Sequence, residues 1–324
     1  MPLIKKSAYP GPPFYLFNGH LQTIIPALGK AAKVDYTRER LITPDEDFLD
    51  LDRIKTGSKN LVILTHGLEG NSSRNYMQNA AKWFSDRAWD VVAWNCRSCS
   101  GEMNKAKRLY SHGEIDDIGA VIDYALDTDN YENIALVGYS MGGNITMKYL
   151  GVNGENVPPQ VKAGVAFSSP TDLKASTVKT EQRQNKIYNK RFLKSLEGKM
   201  RLKAEQYPEL IDARNFAKVK NWDDFMRIFY TPLHDMKDIE AFYHYASSRN
   251  FVAGTTVPIL LVNALNDPLL TDECHPVDIA EGHPLFYVEL PEKGGHCGFP
   301  LPGSLHGWAE MRAWEFISEK IKKT

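Results

Sequence analysis

The pentapeptide Gly138-Tyr139-Ser140-Met141-Gly142 constrains this chain more than any other stretch, because of what stands on either side of it. Asn133-Ile134-Ala135-Leu136-Val137 is a short apolar run of the buried-strand type, and Asn144 to Leu150 reads as a helix carrying Ile145, Met147 and Leu150. A serine between strand end and helix start occupies a sharp, strained turn, and its flanking glycines let other backbone pass close by. The helix N-terminus behind it offers unpaired N–H groups and the positive end of a dipole, where an oxyanion would be stabilised. The setting predicts a nucleophile elbow rather than a chance Gly/Ser turn.

An elbow needs a sheet, and the rest of the chain supplies the pattern for one. Asn60–Thr65, Asp90–Asn95, Ile134–Gly138 and Val161–Phe167 are apolar strand candidates. Between them lie helical periodicities at Asn75–Arg87 (Met77, Ala80, Ala81, Phe84) and Glu114–Leu126. Such alternation argues for an α/β fold, a mostly parallel central sheet with helices on both faces. The pattern breaks over 169–256, a polar and helical stretch with scattered aromatics. It resumes at Pro258–Val262 and Leu285–Leu290 and ends in a helix over Ser304–Lys322. The expected organisation is therefore a core of 1–168 and 257–324 with a helical cap insertion at 169–256, gating access to the site. Within the core, residues 1–50 read as an extended Pro/Gly-rich arm ending in a hairpin, with Glu39–Thr43 and Phe48–Asp52 as strands around the turn Pro44-Asp45-Glu46-Asp47.

Composition narrows the function classes. A formal net charge of −1 leaves no electrostatic footprint for nucleic acid. No window approaches a membrane span and Met1–Lys6 lacks a signal-peptide core, so a soluble cytoplasmic protein is expected; the oligomeric state stays open. Cys96-x-x-Cys99 would need a second ligand pair for zinc, and none is spaced for it, so the four cysteines are expected to be ordinary reduced thiols with no metal.

A serine nucleophile needs a base and a group to orient that base. In a parallel sheet, the residues just past the strand ends converge on one edge. Asn266-Asp267-Pro268 follows the strand Pro258–Val262, and Gly294-Gly295-His296 follows Leu285–Leu290. The order Ser140, Asp267, His296 suits an elbow on such a sheet. Asp272 and Asp278 are rival acids; His275 and His283 are rival bases, disfavoured because they lie between strands. The oxyanion donors are expected to be the backbone N–H groups of Met141 and of Leu68, in Thr65-His66-Gly67-Leu68-Glu69-Gly70. His66 is read as a prop for that loop.

Gly19-His20-Leu21-Gln22-Thr23, His66-Gly67-Leu68-Glu69-Gly70, Arg97-Ser98-Cys99-Ser100-Gly101-Glu102, Gly138 to Asn144, Asn266-Asp267-Pro268 and Gly294 to Phe299 together resemble the YheT-like branch of the α/β-hydrolase superfamily, related to mammalian ABHD lipases. The resemblance implies esterase or lipase-type activity on carboxylic esters without a cofactor, and the same three site residues. The substrate would be a small-molecule or lipid ester. An acyltransferase or thioesterase would use the same residues, and a non-catalytic binding module on this scaffold is the reading from another class. Where the branch reads Asn-Pro-His, this chain has Asn18-Gly19-His20, a glycine expected to loosen the arm. Arg97 is expected to brace its loop by pairing with Glu102 or Glu69, and His112-x-x-x-x-Asp117 is read as helix-terminus chemistry.

Overall fold

The computed structural model describes residues 2–322. Nine strands form one sheet: β1 (Leu3–Ile4), β2 (Thr37–Ile42), β3 (Phe48–Ile54), β4 (Asn60–Thr65), β5 (Asp90–Asn95), β6 (Asn133–Tyr139), β7 (Val161–Phe167), β8 (Ile259–Val262) and β9 (Phe286–Glu289). Their order is β1-β9-β8-β7-β6-β4-β5-β3-β2. Strands β4 to β9 and β1 pair in parallel; β3 runs antiparallel to β5, and β2 antiparallel to β3.

The sheet is mostly parallel because its central strands are buried on both faces, which their unbroken apolar runs require. Alternate residues of β4, β6 and β8 divide between two cores. Leu61, Ile63, Ile134, Leu136, Ile259 and Leu261 face one layer; Val62, Leu64, Ala135, Val137, Leu260 and Val262 face the other. Six of the helices are labelled in chain order: α1 (Gly19–Leu28), α2 (Asn75–Ser85), α3 (Asp116–Thr128), α4 (Met141–Asn153), α5 (Leu173–Glu181) and α6 (Lys186–Gln206). Helices α3 and α4 cover the first face; α2 and the C-terminal helix Trp308–Ile321 cover the second. Between β7 and β8 the described residues form helices and turns only, around a third core that includes Met200, Phe225, Phe229 and Phe242. No helix among the described residues is long and apolar enough to cross a membrane.

Expectations for the N-terminal arm, the start of α4 and Arg97 need correction. The N-terminal arm is not wholly extended: α1 forms within it, capped by the Asn18 side chain, which accepts from the Leu21 N–H at 2.9 Å. The surrounding Pro and Gly residues mask that cap in the sequence. Helix α4 starts at Met141 rather than Asn144, because its first turn is built on Gly142 and Gly143, which carry no apolar signal.

Arg97 braces its loop, but with other partners. Its guanidinium meets Asp45 at 2.8 Å, Asp47 at 2.8 Å and Asp117 at 2.7 Å, while Glu102 pairs with Arg40 and Glu69 with Lys199. Asp117 does sit in the first turn of α3, yet its carboxylate serves Arg97. The β2–β3 turn lies far from Arg97 in sequence, so this pairing depends on the sheet order. The Arg97 side chain is fully buried, as is that of Asp47. Removing the cation leaves buried carboxylates uncompensated. We therefore expect Arg97→Met to lower unfolding stability by about 3–5 kcal/mol in denaturant titration. Arg97→Lys should recover little of it, since an ammonium cannot span three carboxylates in a planar fork.

Candidate active site

Ser140 lies between β6 and α4 with φ 54° and ψ −120°, the strained turn expected of an elbow. Two glycines make the turn possible. A Cβ on Gly138 would fall 2.2 Å from the Gly142 carbonyl oxygen, and one on Gly142 would fall 2.2 Å from the carbonyl oxygen of Thr65. The Ser140 N–H donates to the Phe167 carbonyl at 2.8 Å, tying the elbow to the neighbouring strand β7.

The structure brings the three expected side chains together. His296 Nε2 stands 2.9 Å from Ser140 Oγ, and His296 Nδ1 stands 2.8 Å from Asp267 Oδ2. The other carboxylate oxygen of Asp267 accepts the Leu269 N–H at 2.8 Å, which fixes its plane. Burial disfavours a charged His296 ring, but the buried Asp267 carboxylate outweighs that, and the His296 pKa is raised well above that of an ordinary imidazole. The rival acid Asp272 is exposed, with its carboxylate 3.9 Å from His275.

Gln22 and Thr23 have no role legible in the sequence, and α1 supplies one. The His296 N–H donates to Thr23 Oγ1 at 2.8 Å. Gln22 Oε1 accepts from the Gly294 N–H at 2.8 Å and from Asn266 Nδ2 at 2.9 Å, while the Gly295 N–H donates to Asn266 Oδ1 at 3.1 Å. The histidine loop has positive φ at Gly294, Gly295, Cys297 and Phe299, which is strained at the two residues that are not glycine, and these contacts help to hold it. Gly19 does not loosen the arm: a Cβ there would sit 2.0 Å from the Asn266 carbonyl oxygen, so the glycine permits tight docking.

The expected oxyanion donors flank Ser140. Neighbouring amides are occupied: the Gly67 N–H donates to Tyr76 Oη at 3.0 Å and the Glu69 N–H to Tyr110 Oη at 3.1 Å. Among the described residues no acceptor takes the N–H of Leu68 or Met141. Gly67 brings the loop over the elbow, where a Cβ would lie 3.1 Å from Ser140 Cβ. His66 props the loop as expected: Nδ1 donates to the Gly67 carbonyl at 2.8 Å, and Nε2 accepts the Cys96 N–H at 3.0 Å. Burial holds its pKa down at about 4, so the ring stays neutral. Glu69 adds a tether that the sequence did not reveal, with its carboxylate bound by Lys199 at 2.8 Å and by Ser195, both on α6.

A serine, histidine and carboxylate at the carboxyl edge of a mostly parallel sheet, beside free backbone amides, define the α/β-hydrolase class. The chain belongs to the α/β-hydrolase fold family, whose model matches residues 60–301. It is 28% identical to YheT of Escherichia coli strain K12, provisionally named an esterase, over 94% of this chain and 92% of that one. It is 23% identical to the human phospholipase ABHD3, over 92% of this chain and 75% of that one. Among solved structures, a Pyrococcus furiosus esterase covers 89% of this chain and 91% of its own with a TM-score of 0.58 and 17% identity. The Est1E protein of Butyrivibrio proteoclasticus with bound ferulic acid covers 89% of this chain and all of its own, with a TM-score of 0.56 and 17% identity. These two likenesses show the fold.

Two cavities meet Ser140 and His296. The larger, about 410 Å³, is lined by residues that include Ile24, Leu68, Tyr188 and Leu301. The smaller, about 50 Å³, lies among Leu173, Phe192, Trp222 and Met226. Glu310, on the first turn of the C-terminal helix, lines the larger cavity and is buried, and its Oε2 has no hydrogen-bond partner. Burial raises its pKa from 4.5 to about 8. At acid pH the carboxyl is neutral in both folded and unfolded chains. Above the ordinary glutamate pKa only the unfolded chain ionises, so the folded state loses stability as pH rises toward 8. Glu310→Gln removes this penalty. The variant should gain stability over the parent on going from pH 5 to pH 8, by on the order of 1.4 kcal/mol per pH unit, read from paired denaturant curves.

Proposed function

We propose that this chain is a serine carboxylester hydrolase working through an acyl-enzyme on Ser140. The observation that carries the reading is the continuous hydrogen-bonded line from Ser140 Oγ through the His296 ring to Asp267, with distances of 2.9 and 2.8 Å. In this reading Asp267 keeps the proton of His296 on Nδ1, leaving Nε2 free to act as the base. As Ser140 Oγ attacks the ester carbonyl, its proton passes to Nε2. The carbonyl oxygen becomes an oxyanion and takes the N–H groups of Leu68 and Met141, each worth a few kcal/mol to such a transition state. Collapse breaks the bond to the alkoxy oxygen, and His296 returns the proton to the departing alcohol. A water then repeats the sequence on the acyl-enzyme, releasing the carboxylic acid and restoring Ser140.

The esterase and lipase names of the relatives support a carboxylic ester as substrate. The apolar share of the larger cavity suits an acyl chain. In the same reading residues 169–256 are the cap, because Leu173, Phe192, Trp222 and Met226 close over the serine from that segment. No cofactor enters any step.

A fluorophosphonate should label the parent protein at Ser140. Ser140→Ala should lose the label and lower ester turnover by on the order of 10⁴-fold or more while keeping its melting temperature. Full activity in that variant would overturn the assignment. The pH profile carries a second expectation. The base must be neutral, so kcat/KM should rise with pH through an apparent pKa above the ordinary histidine value. Asp267→Asn removes the charge that sustains the raised pKa. The limb should move to lower pH while kcat falls by on the order of 10³-fold or more.

A further inference from the structure

Helix α1 is apolar on the wrong side. Its polar residues Gln22 and Thr23 are buried against the histidine loop, whereas Ile25 and Leu28 face solvent, Leu28 at 76% exposure. The arm just before it exposes Phe14 (93%), Tyr15 and Phe17 (74%), with the Phe14 ring packed edge-on against Tyr15 at 5.5 Å. This apolar surface has a definite place. Tyr15, Ile25, Leu28 and the exposed Leu305 all line the larger cavity, so they rim its entrance to Ser140. Across the entrance stands α6, joined to α1 where the His20 ring stacks on Tyr188 at 5.8 Å. On that helix Ile187 is exposed one turn from Arg191, which also lines the cavity.

The charges around this rim that meet no counter-charge have one sign. Residues 1–34 contain Lys5, Lys6, Lys30 and Lys33 and no Asp or Glu, and residues 182–196 contain Arg183, Lys186, Lys190, Arg191 and Lys194 and no Asp or Glu. The chain as a whole has 39 basic and 40 acidic residues, so two acid-free basic segments meeting at one cavity mouth are a local feature. Lys30 and Arg191 line the mouth itself, and among the described residues Lys30, Lys186, Lys190, Arg191 and Lys194 meet no carboxylate. The two carboxylates that line the cavity point no free charge outward: Lys199 holds Glu69, and Glu310 is buried and protonated at neutral pH.

We propose that this face docks on an anionic lipid surface, with the Phe14–Phe17 arm and the outer side of α1 entering the interface and the lysines and arginines of α6 meeting head groups. Protruding apolar residues flanked by unpaired cations are what adsorption to such a surface needs, and no spanning helix is required. A second copy of the chain fits poorly, because self-pairing of this face would set cations against cations. The docked surface opens directly into the cavity that ends at Ser140. Resting on the ester-hydrolase reading for the chemistry, this makes the substrate a lipid ester drawn from the interface.

The test uses the full chain carrying Ser140→Ala, so that binding is read without turnover. It is sedimented with vesicles of phosphatidylcholine alone and with vesicles containing phosphatidylglycerol. Binding should need phosphatidylglycerol and weaken as salt rises. Phe14→Ser with Phe17→Ser, and separately Lys190→Glu with Lys194→Glu, should each lower the vesicle partition coefficient by roughly tenfold or more, since each basic residue near an anionic surface contributes about a fivefold factor. With Ser140 intact, both double variants should keep the parent's melting temperature and its hydrolysis of a soluble short-chain nitrophenyl ester. Absence of vesicle binding, equal binding to phosphatidylcholine alone, or binding unmoved by either double variant overturns the proposal. A concentration-dependent dimer that is lost in Phe14→Ser/Phe17→Ser without vesicle binding also overturns it, making the face a self-association surface. Failure of the ester reading would appear as an unlabelled Ser140 and leaves the vesicle result standing.

Discussion

The site rests on a contact between two stretches of backbone. Helix α4 can start directly at the end of β6 only because Gly142 lies against the carbonyl of Thr65, where a Cβ would stand 2.2 Å from the oxygen. That approach forces Ser140 to φ 54° and turns its side chain out of the strand-to-helix corner. It also sets the end of β4, and the 66–70 loop that follows, beside the serine. Strain of this kind costs about 1–3 kcal/mol per residue. The two apolar layers that bury β4, β6 and β8 on both faces hold it in place.

The other half of the site, the histidine loop, is anchored by Phe299 in the second apolar layer and by the Phe299 N–H on the Gly294 carbonyl at 2.8 Å. That loop visits positive φ four times, at Cys297 and Phe299 without the freedom of a glycine. Gln22 and Thr23, far away in sequence, take up its amides, and Asn266 joins the same network. This accounts for the unusual dress of α1. A helix that turns its polar side inward to hold the histidine loop has its apolar side left over, and that side lines the mouth of the cavity. Positioning of His296 and the character of the entrance are thus two faces of one ten-residue helix.

Beyond lining the smaller cavity, the segment between β7 and β8 grips two of the elements that build the site. Ser195 and Lys199 of α6 bind Glu69 in the 66–70 loop, and Tyr188 stacks on His20 of α1. Movement of α6 would therefore be felt by the loop bearing Leu68 and by the helix that holds the histidine loop. The Arg97 cluster braces the same sheet edge on the other side, joining the β2–β3 turn to the start of α3.

Much of this was legible in the sequence, for a local reason. Continuous apolar runs report strands buried on both faces, and the strands Asn60–Thr65, Asp90–Asn95 and Val161–Phe167 occur at the bounds their residues suggest. Parallel pairing sends the loops after such strands to one edge, so the elbow motif and strand-end position together pointed to Ser140, Asp267 and His296. Where the signal was not local, the reading fell short. Gly142 and Gly143 hid the start of α4, the Pro-rich arm hid α1, and Arg97 pairs with three carboxylates, two of which, Asp45 and Asp47, only the sheet order brings near. The sequence by itself determined the class of fold and which serine, histidine and aspartate would meet at the sheet edge, because periodicity, the elbow motif and strand-end position are properties of neighbours along the chain. Tertiary structure alone decided what holds the histidine loop, why Glu310 is uncharged, and which apolar residues stay outside, because each depends on segments that only folding brings into contact.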